Sequence, residues 1–171
     1  MSRKKPMRFT ARSWLGVAVI AAHNLEEALT APGWLQPRLP QLRERFGVAP
    51  LAAEPERFYT GLILVVVVAA GWVAMASRAA PRTLAVHSLI VLYGMFLVNA
   101  FVPHLTASFI LREYTPGVLT AALLVIPYCV WYFTRALVEG LVGRAGFVAA
   151  ASAAIVLYVP LLLTLMGLVN R

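Results

Sequence analysis

Long apolar runs, punctuated by short clusters of basic residues, proline and glycine, set the pattern of this chain. Four runs stand out: Tyr59 to Ser77, Leu84 to Leu111, Val118 to Phe133 and Phe147 to Val169. A helix crosses the hydrocarbon core with ~20 mostly apolar residues, so each run predicts a transmembrane helix. The run from Leu84 is longer than that and contains Pro103, which predicts a tilted or kinked span. A shorter run, Trp14 to Ala22, continues in helical register through His23, Glu26, Glu27 and Leu29 before the breaker Pro32-Gly33.

The pattern therefore predicts an all-α protein: a single membrane-embedded domain over residues 1–171, a bundle of about five transmembrane helices. The expected spans are about 13–31, 59–79, 83–111, 116–137 and 146–169, with a polar outer loop over 33–58. Pro37, Pro40, Pro50 and Pro55 keep any helix in that loop short. Leu42, Phe46 and Val48 among Arg43, Glu44 and Arg45 suggest an interfacial turn of helix, a lid over the outer face; a plain solvated loop is the alternative. For the first segment the competing reading is a secretory signal peptide cleaved near Ala22. Its small-x-small cleavage pattern is poor, and the helical register runs on past that point. Thr115-Pro116 reads as an N-cap followed by proline at the first helical position.

Composition strengthens the membrane reading. The 171 residues are 61% hydrophobic and 13% charged, too apolar for one soluble core of this size. The net charge of +8 does not point to nucleic acid, because the basic residues form no face interleaved with aromatics. They collect at the ends of apolar runs, with Arg3, Lys4, Lys5, Arg8 and Arg12 ahead of the first. Five spans with the N-terminus inside place nine basic residues on the cytoplasmic side and six outside. That predicts an integral protein of a bacterial inner membrane with a cytoplasmic N-terminus. Cys129 is the only cysteine, so no intrachain disulfide forms, and packing is its expected role.

The chemistry lies in the first segment. A carboxylate near mid-membrane costs ~2.5–3.5 kcal/mol on insertion scales before it is paired, and Glu26 and Glu27 sit together on the least apolar span. His23 lies three and four positions before them, so the three side chains crowd one helical face, with Thr30 one turn on. At ~1.5 Å per residue, His23 and Glu27 lie about 16 Å and 22 Å from the inner boundary. The same rise carries Asn99, His104 and Thr120 into the outer half of the bilayer, with Tyr158 lining the site from below. Two histidines and two carboxylates suit zinc or iron. The expected ligands are His23, Glu26, Glu27 and His104; Glu26 and Glu27 are the catalytic candidates, with Asn99, Thr120 and Tyr158 positioning a ligand or substrate. His87 reads as a capping or interfacial residue near the inner end. Arg135 and Glu139 read as an i,i+4 surface pair.

The segment His23-Asn24-Leu25-Glu26-Glu27-Ala28 resembles the signature of the HXXEE-domain family of small bacterial membrane proteins. Asn99, His104, Ser108, Arg112-Glu113-Tyr114-Thr115-Pro116-Gly117, Thr120-Ala121 and Pro127 are similar to that family's later block. The resemblance implies a multi-helix membrane protein with functional positions at His23, Glu26, Glu27, Asn99 and His104. It implies no reaction.

Three functions fit these residues. One is a metal-dependent membrane enzyme acting on a lipid or other apolar substrate, one glutamate serving as general base. A second is a proton or cation pathway or transporter component. The third is a structural or helper protein whose polar network fixes helix packing.

Overall fold

The computed structural model describes residues 5–46 and 55–169, and every regular element among them is helical. Helix α1 runs Lys5–Leu35, and a 3-10 turn, Gln36–Arg38, leads into the short α2, Leu39–Phe46. Helices α3, Pro55–Ala76, α4, Leu84–Leu111, and α5, Val118–Val138, are each long and apolar enough to cross a membrane. The last, α6, runs Arg144–Val169 and is apolar along Arg144–Pro160. The chain is thus an all-α membrane bundle of five long helices. The basic residues Arg3, Lys4 and Arg171, and Val48 of the expected interfacial turn, lie outside the described residues.

Helix α1 continues through Pro32 as far as Leu35, into the segment expected to be loop. Proline removes one backbone donor and crowds the carbonyl of Ala28, and burial of Ala31 and Leu35 offsets that cost for this last turn.

Two helices are irregular at matching places. Within α4 the backbone passes through a π-helical stretch, Ala100–Leu105, where Val102 adopts φ −129° and ψ 107°. A residue before proline is pushed out of the α region, so Pro103 accounts for the break. In α5 a second π stretch covers Ala121–Val125. Such wide turns redirect side chains and often border functional sites. Here Asn99 immediately precedes the first and His104 lies within it, and Thr120 precedes the second.

Packing follows from an apolar core of Ile20, Val73, Leu89, Ile90 and Val125, all nearly inaccessible. Helix α4 lies along α6, and α1 packs against α3. A tyrosine cluster ties α1 to α4 and α5: Tyr93 donates to the carbonyl of Ser13, Tyr128 donates to that of Arg12, and Tyr132 meets the Ser13 hydroxyl. Gly16 makes this close approach possible, since a Cβ there would overlap Tyr93 and Tyr128. Large apolar side chains cover the outer surface, among them Ile63, Val67, Met75 and Phe109, as lipid contact requires.

Connections across the helix ends fix which termini share a face. Thr10 donates to the carbonyl of Ser77, Arg12 forms a bidentate pair with Glu139, and the amide of Arg82 donates to the carbonyl of Leu141. The start of α1 therefore lies beside the end of α3, the start of α4 and the end of α5. Glu139, read from sequence as a partner for Arg135, reaches across to α1 because Arg12 is half-buried and needs a counterion. On this face His87 bonds the Thr83 carbonyl through Nδ1 at 2.7 Å, a local cap at the start of α4.

Candidate metal centre

Near the opposite face, α1, α4 and α5 bring polar side chains to one point. His23 and His104 are buried, 1% and 5% exposed, and their Nε2 atoms lie 3.2 Å apart. Glu27 Oε1 is 3.3 Å from His104 Nε2. One ligand atom from each of His23, Glu27 and His104 falls within 4.8 Å of the others.

The other ring nitrogens decide what these Nε2 atoms can do. His104 Nδ1 lies 2.7 Å from the carbonyl of Pro116. A carbonyl only accepts, so in the neutral ring the proton is on Nδ1 and Nε2 is a bare lone pair. His23 Nδ1 is 2.8 Å from the Thr120 hydroxyl, and that hydroxyl donates its single proton to Glu26 Oε2. It can then only accept from His23, which again leaves Nε2 bare. Two lone pairs and a carboxylate thus converge in a buried space. That arrangement calls for a donated proton or a bound cation among them.

Glu26 and Glu27, adjacent in sequence, part company here. The carboxylate of Glu26 accepts from the backbone amides of Leu119, 3.2 Å, and Thr120, 2.7 Å, from the Thr120 hydroxyl, and from Tyr114, 2.7 Å. It caps the N-terminus of α5 from another helix, where unpaired amides and the helix dipole favour an anion. Glu26 therefore holds Thr120, and Thr120 holds His23. Asn24, on a neighbouring face of α1, donates to the carbonyl of Leu62 and fastens α1 to α3.

The loop between α4 and α5 is fitted around the centre residue by residue. Both carboxylate oxygens of Glu113 accept from Arg38 Nη2, at 2.8 and 3.0 Å, and Arg38 stacks over Trp34. Tyr114 reaches Glu26; burial and the nearby carboxylate raise its phenol above the ordinary value, so it remains a donor at neutral pH. Thr115 was expected to cap α5 through its hydroxyl, but that hydroxyl donates to the carbonyl of His104, 3.1 Å away. The helix starts at Val118 instead, behind Gly117 in the left-handed region at φ 83°. A Cβ on Gly117 would lie 2.6 Å from His104 Cε1 and 3.0 Å from His23 Cε1, so both conformation and space select glycine.

The remaining predicted positions are close by. Asn99 has its amide nitrogen 3.0 Å from His104 Nε2 and 3.4 Å from His23 Nε2, and its oxygen accepts from Tyr158, 2.7 Å away. Of the residues singled out from sequence, His23, Glu27, His104 and Asn99 meet directly. Thr120 and Tyr158 stand one hydrogen bond behind them, and Glu26 two, through Thr120. Tyr114, Thr115 and Gly117 had no assigned part in the site; their adjacency in the Arg112–Gly117 block was the available signal.

An apolar cavity of about 310 Å³ lies between α3 and α4 and ends at this centre. Val65, Val68, Trp72, Leu92, Met95 and Phe96 line its length, and Glu27, Asn99 and Tyr158 close its polar end.

Comparison with known proteins finds one family. A family described as "Protein of unknown function with HXXEE motif" matches residues 14–132, which include α3, most of α1 and every residue of the centre except Tyr158. The chain is 31% identical over 109 residues to the uncharacterized protein YrkK of Bacillus subtilis (strain 168), covering 63% of each chain. It thus spans just under two thirds of that relative's length. No solved structure matches.

Proposed function

Because the chain belongs to the HXXEE family and gathers its motif histidine and second glutamate into one buried centre, we propose that it is a metal-dependent integral membrane enzyme acting on a lipid or other apolar substrate. The observation that carries this reading is the pair of imidazoles whose Nδ1 atoms are committed to acceptors, leaving two bare Nε2 atoms 3.2 Å apart beside Glu27. With bonds of ~2.0–2.1 Å, ligand atoms stand roughly 2.9 Å apart at right angles and roughly 3.4 Å apart at the tetrahedral angle. The Nε2–Nε2 and Nε2–Oε1 separations of 3.2 and 3.3 Å fall in that interval.

His23, Glu27 and His104 would hold the ion, zinc or iron by donor type. The bound metal supplies Lewis-acid activation of a water or a substrate oxygen. Around it the protein's own groups do separate work. Thr120 and Pro116 fix the two ring orientations, and Glu26 fixes Thr120. Glu26, occupied by four donors, is a positioning residue in this reading. Glu27 keeps one side on the cavity, where a substrate group would arrive.

The cavity supports an apolar substrate. Its walls are aliphatic and aromatic, and its volume lies at the lower end for a small-molecule site. A single hydrocarbon chain lying between α3 and α4 would carry its polar end to Glu27. We place the protein in the bacterial inner membrane with the start of α1 in the cytoplasm. The basic residues Arg78, Arg82 and Arg144 on that face support the orientation.

The test is metal analysis of purified, detergent-solubilised protein, wild type beside Glu27→Ala and His104→Ala. One zinc or iron per chain, lost in both variants while helicity is retained, supports the proposal. Absence of stoichiometric metal in wild type after reconstitution with either ion overturns it.

A further inference from the structure

The Asn99 amide sits between the two imidazoles and Tyr158, and its hydrogen bonds can be completed in two ways. With the nitrogen inward, one N–H reaches His104 Nε2 and the oxygen accepts from Tyr158. The nitrogen forms a nearly equilateral triangle with the two Nε2 atoms, 3.0, 3.2 and 3.4 Å on its sides. Amide hydrogens diverge by ~120°, so one nitrogen cannot serve both lone pairs well. Tyr158 also lies 2.8 Å from the carbonyl of Val102. Its single proton therefore faces two acceptors, and one goes without.

Rotating the amide by half a turn reverses each of these roles. The Asn99 N–H then donates to Tyr158 Oη, and Tyr158 gives its proton to the Val102 carbonyl, which lies where the π stretch breaks the α-helical backbone. Every group around Tyr158 is satisfied. The amide oxygen now joins two bare Nε2 atoms and Glu27, an arrangement that only a cation makes favourable. The two amide orientations have the same shape, and the surrounding bonds choose between them.

We infer that Asn99 is a fourth ligand of the centre, turning its oxygen inward when a divalent metal binds, with Tyr158 accepting its N–H in that state. The inference rests on the proposed metal site and adds to it a neutral oxygen donor, held at the cavity's polar end. The protein then supplies two imidazoles, one carboxylate and one amide oxygen. That set suits zinc, and equally a ferrous ion that takes further ligands from water or substrate.

Affinity for zinc and for ferrous iron, measured by competition with a chromophoric chelator in the detergent-solubilised full chain, tests this. Asn99→Leu should bind at least 10-fold more weakly, and Tyr158→Phe about 10-fold more weakly, as loss of an outer partner does. Asn99→Asp is the discriminating variant, because it offers oxygen and no N–H. Affinity within about 3-fold of wild type supports an inward oxygen; a loss as large as that of Asn99→Leu overturns it. X-ray absorption on the metal-loaded protein guards against misfolding effects: wild type should lose one light scatterer near ~2.1 Å in Asn99→Leu. Metal bound by wild type, lost in His104→Ala and unchanged in Asn99→Leu overturns the inference and leaves the site standing. No metal in wild type removes the site itself.

Discussion

Glu26 and Glu27 are consecutive in the chain, yet their carboxylates serve different helices: Glu26 receives the amide of Thr120 at the start of α5, and Glu27 lies 3.3 Å from His104 on α4. Successive residues on a helix point about 100° apart, which is enough to put one carboxylate at the centre and the other behind it. The two should therefore fail differently. Glu27→Ala is expected to abolish metal binding. Glu26→Gln keeps an acceptor but upsets the Thr120 contact, and should weaken binding 10–100-fold. Titration of both variants with zinc checks this, and equal losses would contradict the division of roles.

Gly117 meets two independent demands, a left-handed backbone and contact with both imidazoles. Gly117→Ala should cost roughly 1–2 kcal/mol from the backbone alone. The methyl group must also displace His104, so metal affinity should fall along with thermal stability. Thermal unfolding with and without metal separates the two effects: the variant should gain less from added metal than wild type.

The cavity can be closed without touching the centre. Val68 lines it on α3, and Val68→Trp should fill much of its volume. Metal content should be unchanged, while binding of a fluorescent single-chain amphiphile falls at least 10-fold. Undiminished binding would show that apolar ligands enter elsewhere.

At the other face, the pair between Arg12 and Glu139 joins α1 to α5 in a half-buried setting, with Arg12 over the Trp131 ring. Arg12→Met should destabilise the bundle by ~2 kcal/mol, the scale of charge-assisted bonds, and leave metal affinity within about 2-fold. Chemical unfolding in detergent beside a metal titration checks both halves.

Much of this arrangement can be read in the sequence, for identifiable reasons. Hydrophobic run length marks α3, α4, α5 and α6, because the bilayer imposes a length on any helix that crosses it. The spacing of His23, Glu26 and Glu27 places them on one face, and burial cost marks them as paired. The sequence predicts that the two glutamates are not equivalent, since only one can closely share the plane of His23, but which takes which duty depends on where the start of α5 comes to rest. Tyr114 looks like an interfacial aromatic until the fold sets it 2.7 Å from Glu26. Thr115 carries a capping signature, but its hydroxyl is drawn to the His104 carbonyl, which the π stretch leaves in reach. Local preference gave way to a tertiary partner in each case. Pro32 misled similarly: it suggests a helix end, and burial of Leu35 carries α1 past it.

The most direct measurement is the count and type of ligand atoms around metal in the wild-type protein, by elemental analysis and X-ray absorption on one detergent-solubilised sample. The account predicts one zinc or iron per chain with two imidazoles among nitrogen and oxygen ligands. A chain that takes up neither ion stoichiometrically, or one bound without imidazole, would contradict it.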